Sequence, residues 1–171
     1  ASWSTQGLHT RGTLEGYKRA ASRHKWLEIH GRKEWETYYS REALERQLRF
    51  FDYFLKGIEN DWLEAPPVRL EVRERFFDGE FRTEREWPLA RTEYTKLYLD
   101  AATGTLSRSP LPAQSKLAYH ADQPAGAGAR AVFRIRFDED TELTGYMKLK
   151  LWVSAEGADD MDLFVGVKKF D

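Results

Sequence analysis

The sequence contains no cysteine among its 171 residues. This absence excludes a disulfide framework, a thiolate zinc site and a cysteine nucleophile. It does not fix the compartment, because cysteine-free proteins occur both inside and outside the cell. The compartment therefore stays open, with the cytoplasm favoured.

An excess of charge of either sign is also lacking. Lys and Arg total 27 and Asp and Glu total 28, which leaves a net charge of -1. Without a basic surface we expect neither nucleic acid nor anionic membrane as a partner. No apolar run is long enough to cross a bilayer, so we expect a soluble chain.

Both ends of the sequence lack the usual boundaries of a domain. The chain starts without a methionine or a signal-peptide pattern, and residues 163–169 alternate like a strand just before it stops. We expect the chain to be cut at both ends. An uncovered strand edge would favour pairing between copies, so a homo-oligomer is possible.

The first part of the chain shows helical and strand patterns in turn. Apolar residues at helical spacing predict a helix over 10–21, and the short apolar run at 26–29 predicts a buried strand that ends at His30. Ser40 as an N-cap and Gly57 as a stop predict a helix between them. The first part of the chain is therefore predicted to be an α/β unit.

Beyond Pro66-Pro67 the pattern changes to a period of two. The segments that predict strands are 68–72, 95–99, 131–137, 147–153 and 163–169, with a short strand possible at 116–119 and loops over the rest of 103–128. Many short strands between turn signals are typical of a β-sandwich. The predicted fold is thus α/β plus all-β, with residues 1–62 as the first unit and 63–171 as the second.

Histidine is the side chain whose pKa lies closest to neutrality, so His9, His24, His30 and His120 are the candidates for acid–base chemistry. Their spacing matches no metal-binding pattern. His30 follows a predicted buried strand, as the last triad residue does in α/β-hydrolases. From position alone, a capping or surface histidine is the better explanation.

Several segments together resemble cocaine-esterase-like (CocE/NonD) hydrolases, which are relatives of the Xaa-Pro dipeptidyl-peptidases. The segments that carry the resemblance are 2–12, 25–31, 33–39, 50–57, 66–70, 87–90, 138–145, 151–154 and 159–165. The resemblance implies a Ser-His-Asp hydrolase with an α/β-hydrolase domain, a helical cap and a C-terminal jelly-roll sandwich. It implies action on esters, amides or N-terminal dipeptides.

The resemblance also assigns two triad positions. His30 falls on the family's catalytic histidine and would act as the general base, while the serine would lie before Ala1 in the upstream catalytic half. Thr5 stands where the family has its acidic residue. Threonine carries no charge to stabilise an imidazolium, so either the site is weakened or lost, or Glu28, Glu34 or Glu36 substitutes.

The remaining conspicuous residues have competing explanations. Trp35 and Tyr38, with Tyr39, either shape an acyl pocket or pack beneath the histidine loop. The aspartates at 159, 160 and 162 suit Ca²⁺ chemically, but a solvated turn is the simpler interpretation, so we expect no metal site. The tryptophans at 62, 87 and 152 are expected in the core or at a domain interface.

The sequence therefore predicts a serine hydrolase that uses acyl transfer and needs no cofactor, with a small ester, amide or short peptide as substrate. The alternative is a non-catalytic β-sandwich binding or assembly module, or an inactive hydrolase homologue. Thr5 favours the alternative, whereas His30 and its flanking motif favour the hydrolase.

Overall fold

A computed structural model describes residues 1–123 and 128–170. Its helices are α1 (Arg11–Arg19), α2 (Glu34–Tyr38) and α3 (Arg41–Lys56), with 3₁₀ turns at Trp3–Thr5 and Asp61–Glu64 and a π-helical turn at Gln6–Thr10. The strands are β1 (Leu27–Ile29), β2 (Val68–Arg75), β3 (Asp78–Glu84), β4 (Tyr98–Asp100) and β5 (Thr105–Ser107).

Both predicted helices are confirmed: the one predicted over 10–21 is the shorter α1, and the one between Ser40 and Gly57 is α3, whereas α2 was not predicted. Helix α3 begins after Ser40, whose hydroxyl accepts a hydrogen bond from the Ala43 N–H, and ends at Gly57, which takes a left-handed φ of 66°. An N-cap serine and a left-handed glycine satisfy the free backbone groups at the two helix ends. No helix of the described residues is long and apolar enough to cross a membrane.

A three-stranded sheet in the order β1-β2-β3 forms the centre of the molecule. Strand β1 pairs in parallel with β2, with Ile29 opposite Leu70, and β2 pairs antiparallel with β3. A second, two-stranded sheet joins β4 to β5. Beyond the 3₁₀ turn at Asp61–Glu64, every regular element of the described residues is a strand, which fits a C-terminal β domain.

The core lies against the β1-β2 pair. Ile29, Val68 and Leu70 have no exposed surface, and the cluster around them contains Leu14, Leu27, Trp87 and Leu89. Each fully buried side chain of this kind contributes about 1.5–3 kcal/mol of transfer free energy. This packing fixes the end of β1, where His30 begins.

Several strand predictions are wrong. The predicted strand at 95–99 shrinks to β4, and 131–137 forms only one isolated bridge, between Thr105 and Arg134. Residues 116–119, 147–153 and 163–169 form no strand, and side chains there such as Trp152 and Phe164 are largely exposed. An alternating pattern gives a strand only where a neighbour completes its hydrogen bonds, and the described residues place none beside these segments.

Two strands were missed. Strand β3 follows a turn at Phe76-Phe77, in which Phe77 adopts a φ of 63°. Strand β5 lies inside the segment predicted as a loop over 103–128, of which residues 124–127 fall outside the described part. An aspartate-glycine pair after an alternating segment is a hairpin signal, and here Asp78-Gly79 begins β3 directly after the turn.

Candidate active site

His30 lies directly after β1 and is held by backbone hydrogen bonds. Its N–H donates to the Ala1 carbonyl at 3.0 Å, and its own carbonyl accepts from the Trp3 N–H at 2.8 Å. The residue is only 6% exposed. The N-terminal segment thus continues the sheet beside His30 and fixes its backbone.

The imidazole ring is oriented by helix α2. Nδ1 of His30 lies 3.0 Å from Oγ1 of Thr37. With the proton on Nδ1, the ring donates to the Thr37 hydroxyl and leaves the Nε2 lone pair free to accept a proton. This is the tautomer that a general base requires.

Burial and the charges around His30 act in opposite directions. Burial lowers the pKa of His30 below its ordinary 6.5, while Glu28, Glu71 and Glu34 raise it. Burial therefore keeps the imidazole neutral in the resting state, and the three carboxylates favour its protonated form.

Thr5 lies close to the histidine loop but not against the imidazole. Its hydroxyl is 3.2 Å from the Ser2 carbonyl oxygen and 3.0 Å from Oε1 of Glu34. A hydroxyl has a single proton, so it donates to one of these two acceptors at a time. The nitrogen that a triad acid would hold, Nδ1 of His30, contacts Thr37 instead.

The segment that contains Thr5 is tied to the loop after His30. Ser2 donates to the Arg32 carbonyl, and Ser4 donates to the Gly31 carbonyl at 2.8 Å. The two segments that the sequence marks as triad positions therefore meet in space. Of the three glutamates considered as substitutes for the acid, only Glu34 contacts Thr5: Glu28 pairs with Arg46 and Arg69, and Glu36 is exposed.

Sequence reasoning missed two residues of this site. Thr37 holds Nδ1, and no sequence signal singles it out. Glu71 lies in β2 and is 2% exposed, and its Oε2 accepts a hydrogen bond from the Gly31 N–H at 2.6 Å. A glutamate within the apolar alternation of 68–72 was the available signal, because a charged side chain is rarely buried without a specific partner.

Trp35 and Tyr38 lie on α2, the helix that carries Thr37. They are 61% and 55% exposed, so they do not pack beneath the histidine loop. Trp62 and Trp87 are buried as expected, and Trp87 belongs to the main core. Trp152 is not in the core, because its side chain is 82% exposed beside Lys150, and its placement at a domain interface stays a prediction.

The acidic segment near residue 160 is exposed and bends at Asp159. Oδ1 of Asp160 accepts a hydrogen bond from the Met161 N–H at 2.8 Å, and the neighbouring aspartates are exposed. The described residues contain no group of three or more His, Asp or Glu side chains arranged to hold a metal ion.

Comparison with known proteins identifies the family. Residues 60–171 match the family described as the X-Pro dipeptidyl-peptidase C-terminal non-catalytic domain. Two crystal structures of a CocE/NonD family hydrolase from Staphylococcus aureus are similar, with a TM-score of 0.62 and 58% sequence identity over 64% of this chain. No curated protein matches it.

This chain covers 20% of the length of the Staphylococcus aureus hydrolase chain. Thr5 and His30 precede the residues that match the non-catalytic domain. The match to this domain and the similarity to the hydrolase confirm the resemblance seen in the sequence. The chain belongs to the X-Pro dipeptidyl-peptidase C-terminal domain family and is like the C-terminal portion of CocE/NonD hydrolases.

Proposed function

We propose that this chain forms the C-terminal portion of a serine hydrolase of the CocE/NonD, Xaa-Pro dipeptidyl-peptidase type. The observation that carries the proposal is the setting of His30. The residue is buried at the end of β1, its backbone is fixed on both sides, and Nδ1 is held by Thr37. A binding module has no physical need for such a restrained imidazole.

In the proposed reaction a serine from the upstream catalytic half attacks the carbonyl of an ester, an amide or an N-terminal dipeptide. His30 takes the serine proton on Nε2, and the imidazolium returns it to the leaving group. The acyl-enzyme is then hydrolysed by water, again with His30 as base. The reaction needs no cofactor. Trp35 and Tyr38, exposed on α2, would line the substrate cleft.

Thr5 weakens this reaction in the proposal. In serine proteases, loss of the triad carboxylate lowers turnover by about four orders of magnitude. The Thr5 hydroxyl provides no charge, and its contact with Glu34 brings a carboxylate to the acid position only indirectly. We therefore expect slower turnover than in a hydrolase with an aspartate at this position.

The proposed architecture places residues 1–62 at the end of an α/β-hydrolase domain and residues 63–171 in a jelly-roll sandwich. The order helix, strand, helix along α1, β1, α2 and α3 supports the first part, because such alternation is typical of α/β domains. Strand β1 pairs with β2 of the second part, so the proposed boundary lies between two strands of one sheet. The succession of β2 to β5 without a further α-helix in the described residues supports the second. The sandwich would form one wall of the cleft.

A binding or assembly module, or an inactive hydrolase homologue, is the second candidate. The printed description of the matched domain as non-catalytic favours it, and so does Thr5. In that case His30 would serve only to stabilise the loop after β1.

Labelling with a fluorophosphonate serine probe distinguishes an active serine hydrolase from a non-catalytic module or inactive homologue. The native protein is incubated with the probe and its intact mass is measured after denaturation. A serine hydrolase gains one probe mass on a serine outside residues 1–171, whereas a module gains none. A boiled sample is the matched control, since only an activated serine reacts quickly.

A further inference from the structure

Glu71 belongs to the domain described as non-catalytic, yet it lies against the loop of the proposed general base. The register of the parallel pair leads to this arrangement. Ile29 is opposite Leu70, so His30 and Glu71 follow one step beyond the last paired residues. Leu70 faces the core, and Glu71 faces the opposite side of β2.

The contact between Glu71 and the loop is close. Oε2 accepts from the Gly31 N–H at 2.6 Å, and the Glu71 carbonyl accepts from the Trp3 indole N–H at 2.7 Å. A Cβ on Gly31 would lie 2.9 Å from Oε1 of Glu71 and 2.9 Å from Cδ of Arg73. Only glycine therefore allows the loop to approach β2 this closely.

Glu71 differs from the other carboxylates that face His30. Glu28 is paired with Arg46 and Arg69, and Glu34 is partly exposed and bound to Thr5. Glu71 is buried and forms no ion pair among the described residues, and its Oε1 has no hydrogen-bond partner there. Glu28 raises the pKa of His30 more than Glu71 does, but its carboxylate is shared with two arginines. Glu71, in contrast, contacts the histidine loop directly and has Arg73 as its neighbouring cation.

We propose that Glu71 is a positioning residue that holds the loop of His30 and stabilises the protonated form of its imidazole. Thr5, at the position of the triad acid, has no charge with which to do this. This inference rests on the proposed function. When His30 accepts the serine proton, the imidazolium gains a buried negative charge nearby. The other charged groups that face His30 are Glu28 and Glu34, and Arg73 flanks Glu71 on β2.

The test is the pKa of His30 in the polypeptide that contains both this chain and the upstream catalytic half, measured from the pH dependence of deuterium exchange at the imidazole Cε1 by mass spectrometry. This readout separates His30 from the other histidines by peptide and needs only dilute protein. Glu71→Gln keeps the size of the side chain and an acceptor for the Gly31 N–H, but removes the charge. Glu36→Gln, an exposed carboxylate on α2, is the matched control.

We expect Glu71→Gln to lower the His30 pKa by about one unit, as loss of a nearby opposite charge does. Glu36→Gln should leave it unchanged, and the circular dichroism spectrum of each variant shows whether the fold is retained. An unchanged His30 pKa in folded Glu71→Gln overturns the proposal, because a purely structural contact would not move it.

If Glu71→Gln fails to fold, the contact between Glu71 and the histidine loop can still be tested in the wild-type protein. The Gly31 amide should be protected from hydrogen exchange, and exchange at the rate of a free loop would contradict the contact with Glu71. The serine-probe experiment is independent of these readouts. A pKa shift without probe labelling would reject the hydrolase and retain the coupling between Glu71 and His30.

Discussion

Thr37 and His30 are joined by one hydrogen bond, 3.0 Å long, between a hydroxyl on helix α2 and Nδ1 of the ring at the end of β1. With the proton on Nδ1, the tautomer that a general base requires, the ring donates through this bond to the Thr37 hydroxyl. The bond also links the orientation of the imidazole to a helix of only five residues, Glu34–Tyr38.

Replacing Thr37 with valine should release the ring while it preserves the side-chain shape. We expect a loss of about 1 kcal/mol in the free energy of unfolding, the usual net value of a hydrogen bond. The ¹⁵N shifts of His30 should move toward a mixture of tautomers. Thr37→Ser retains the hydroxyl and is the control. Identical ¹⁵N shifts in the valine variant and the wild type would show that Thr37 does not set the tautomer.

Gly31 should tolerate no side chain. An alanine Cβ there would meet Glu71 and Arg73 at 2.9 Å, so Gly31→Ala should lower the free energy of unfolding by about 1–3 kcal/mol, as overpacking does. Gly16→Ala is the control, because that position in α1 has open space around it and should gain up to about 1 kcal/mol. Urea unfolding of both variants measures the difference, and an equal gain in both would refute the close approach.

The helix ends and the strand before His30 could be predicted because their signals are local. Ser40 and Gly57 satisfy backbone groups within one turn of their own positions, so the sequence around them is sufficient. The residues that end at Ile29 are mostly apolar, so a buried strand could be predicted there. His30 is the next residue, so its position at the start of the following loop could be predicted as well.

Contacts that join distant parts of the chain could not be predicted. Gly31 and Glu71 are 40 residues apart, and the choice of Thr37 as the Nδ1 partner depends on how α2 docks. The alternation at 147–153 predicted a strand, yet a strand also needs a neighbour with free backbone groups, and a single sequence does not contain that information.

The N-cap of α3 gives a prediction for stability. Ser40→Ala removes the acceptor for the Ala43 N–H and should cost about 1 kcal/mol. Ser154→Ala, in an exposed segment without regular structure, should change little. Thermal unfolding followed by circular dichroism at 222 nm compares the two, and an equal effect of both would contradict the assigned cap.

His30 should make stability depend on pH. Burial lowers its pKa in the folded state below 6.5, so the unfolded state binds more protons as the pH falls through that value. The contribution of the neutral, buried His30 to the free energy of unfolding is therefore fully present above about pH 6.5 and declines below that pH. Compared with wild type, His30→Gln should show a flatter dependence of unfolding free energy between about pH 5 and 7. His120→Gln, at an exposed position, should keep the wild-type slope, and an unchanged slope in His30→Gln would argue against a buried neutral imidazole.

The most direct test of the central claim, that His30 is the general base of a serine hydrolase, is the rate of fluorophosphonate labelling in the polypeptide that contains both this chain and the upstream serine. His30→Gln should slow labelling about a hundredfold or more, the contribution expected of a general base. His24→Gln, an exposed histidine stacked on Trp26, should label at the wild-type rate. Equal labelling of His30→Gln and wild type would contradict the assignment.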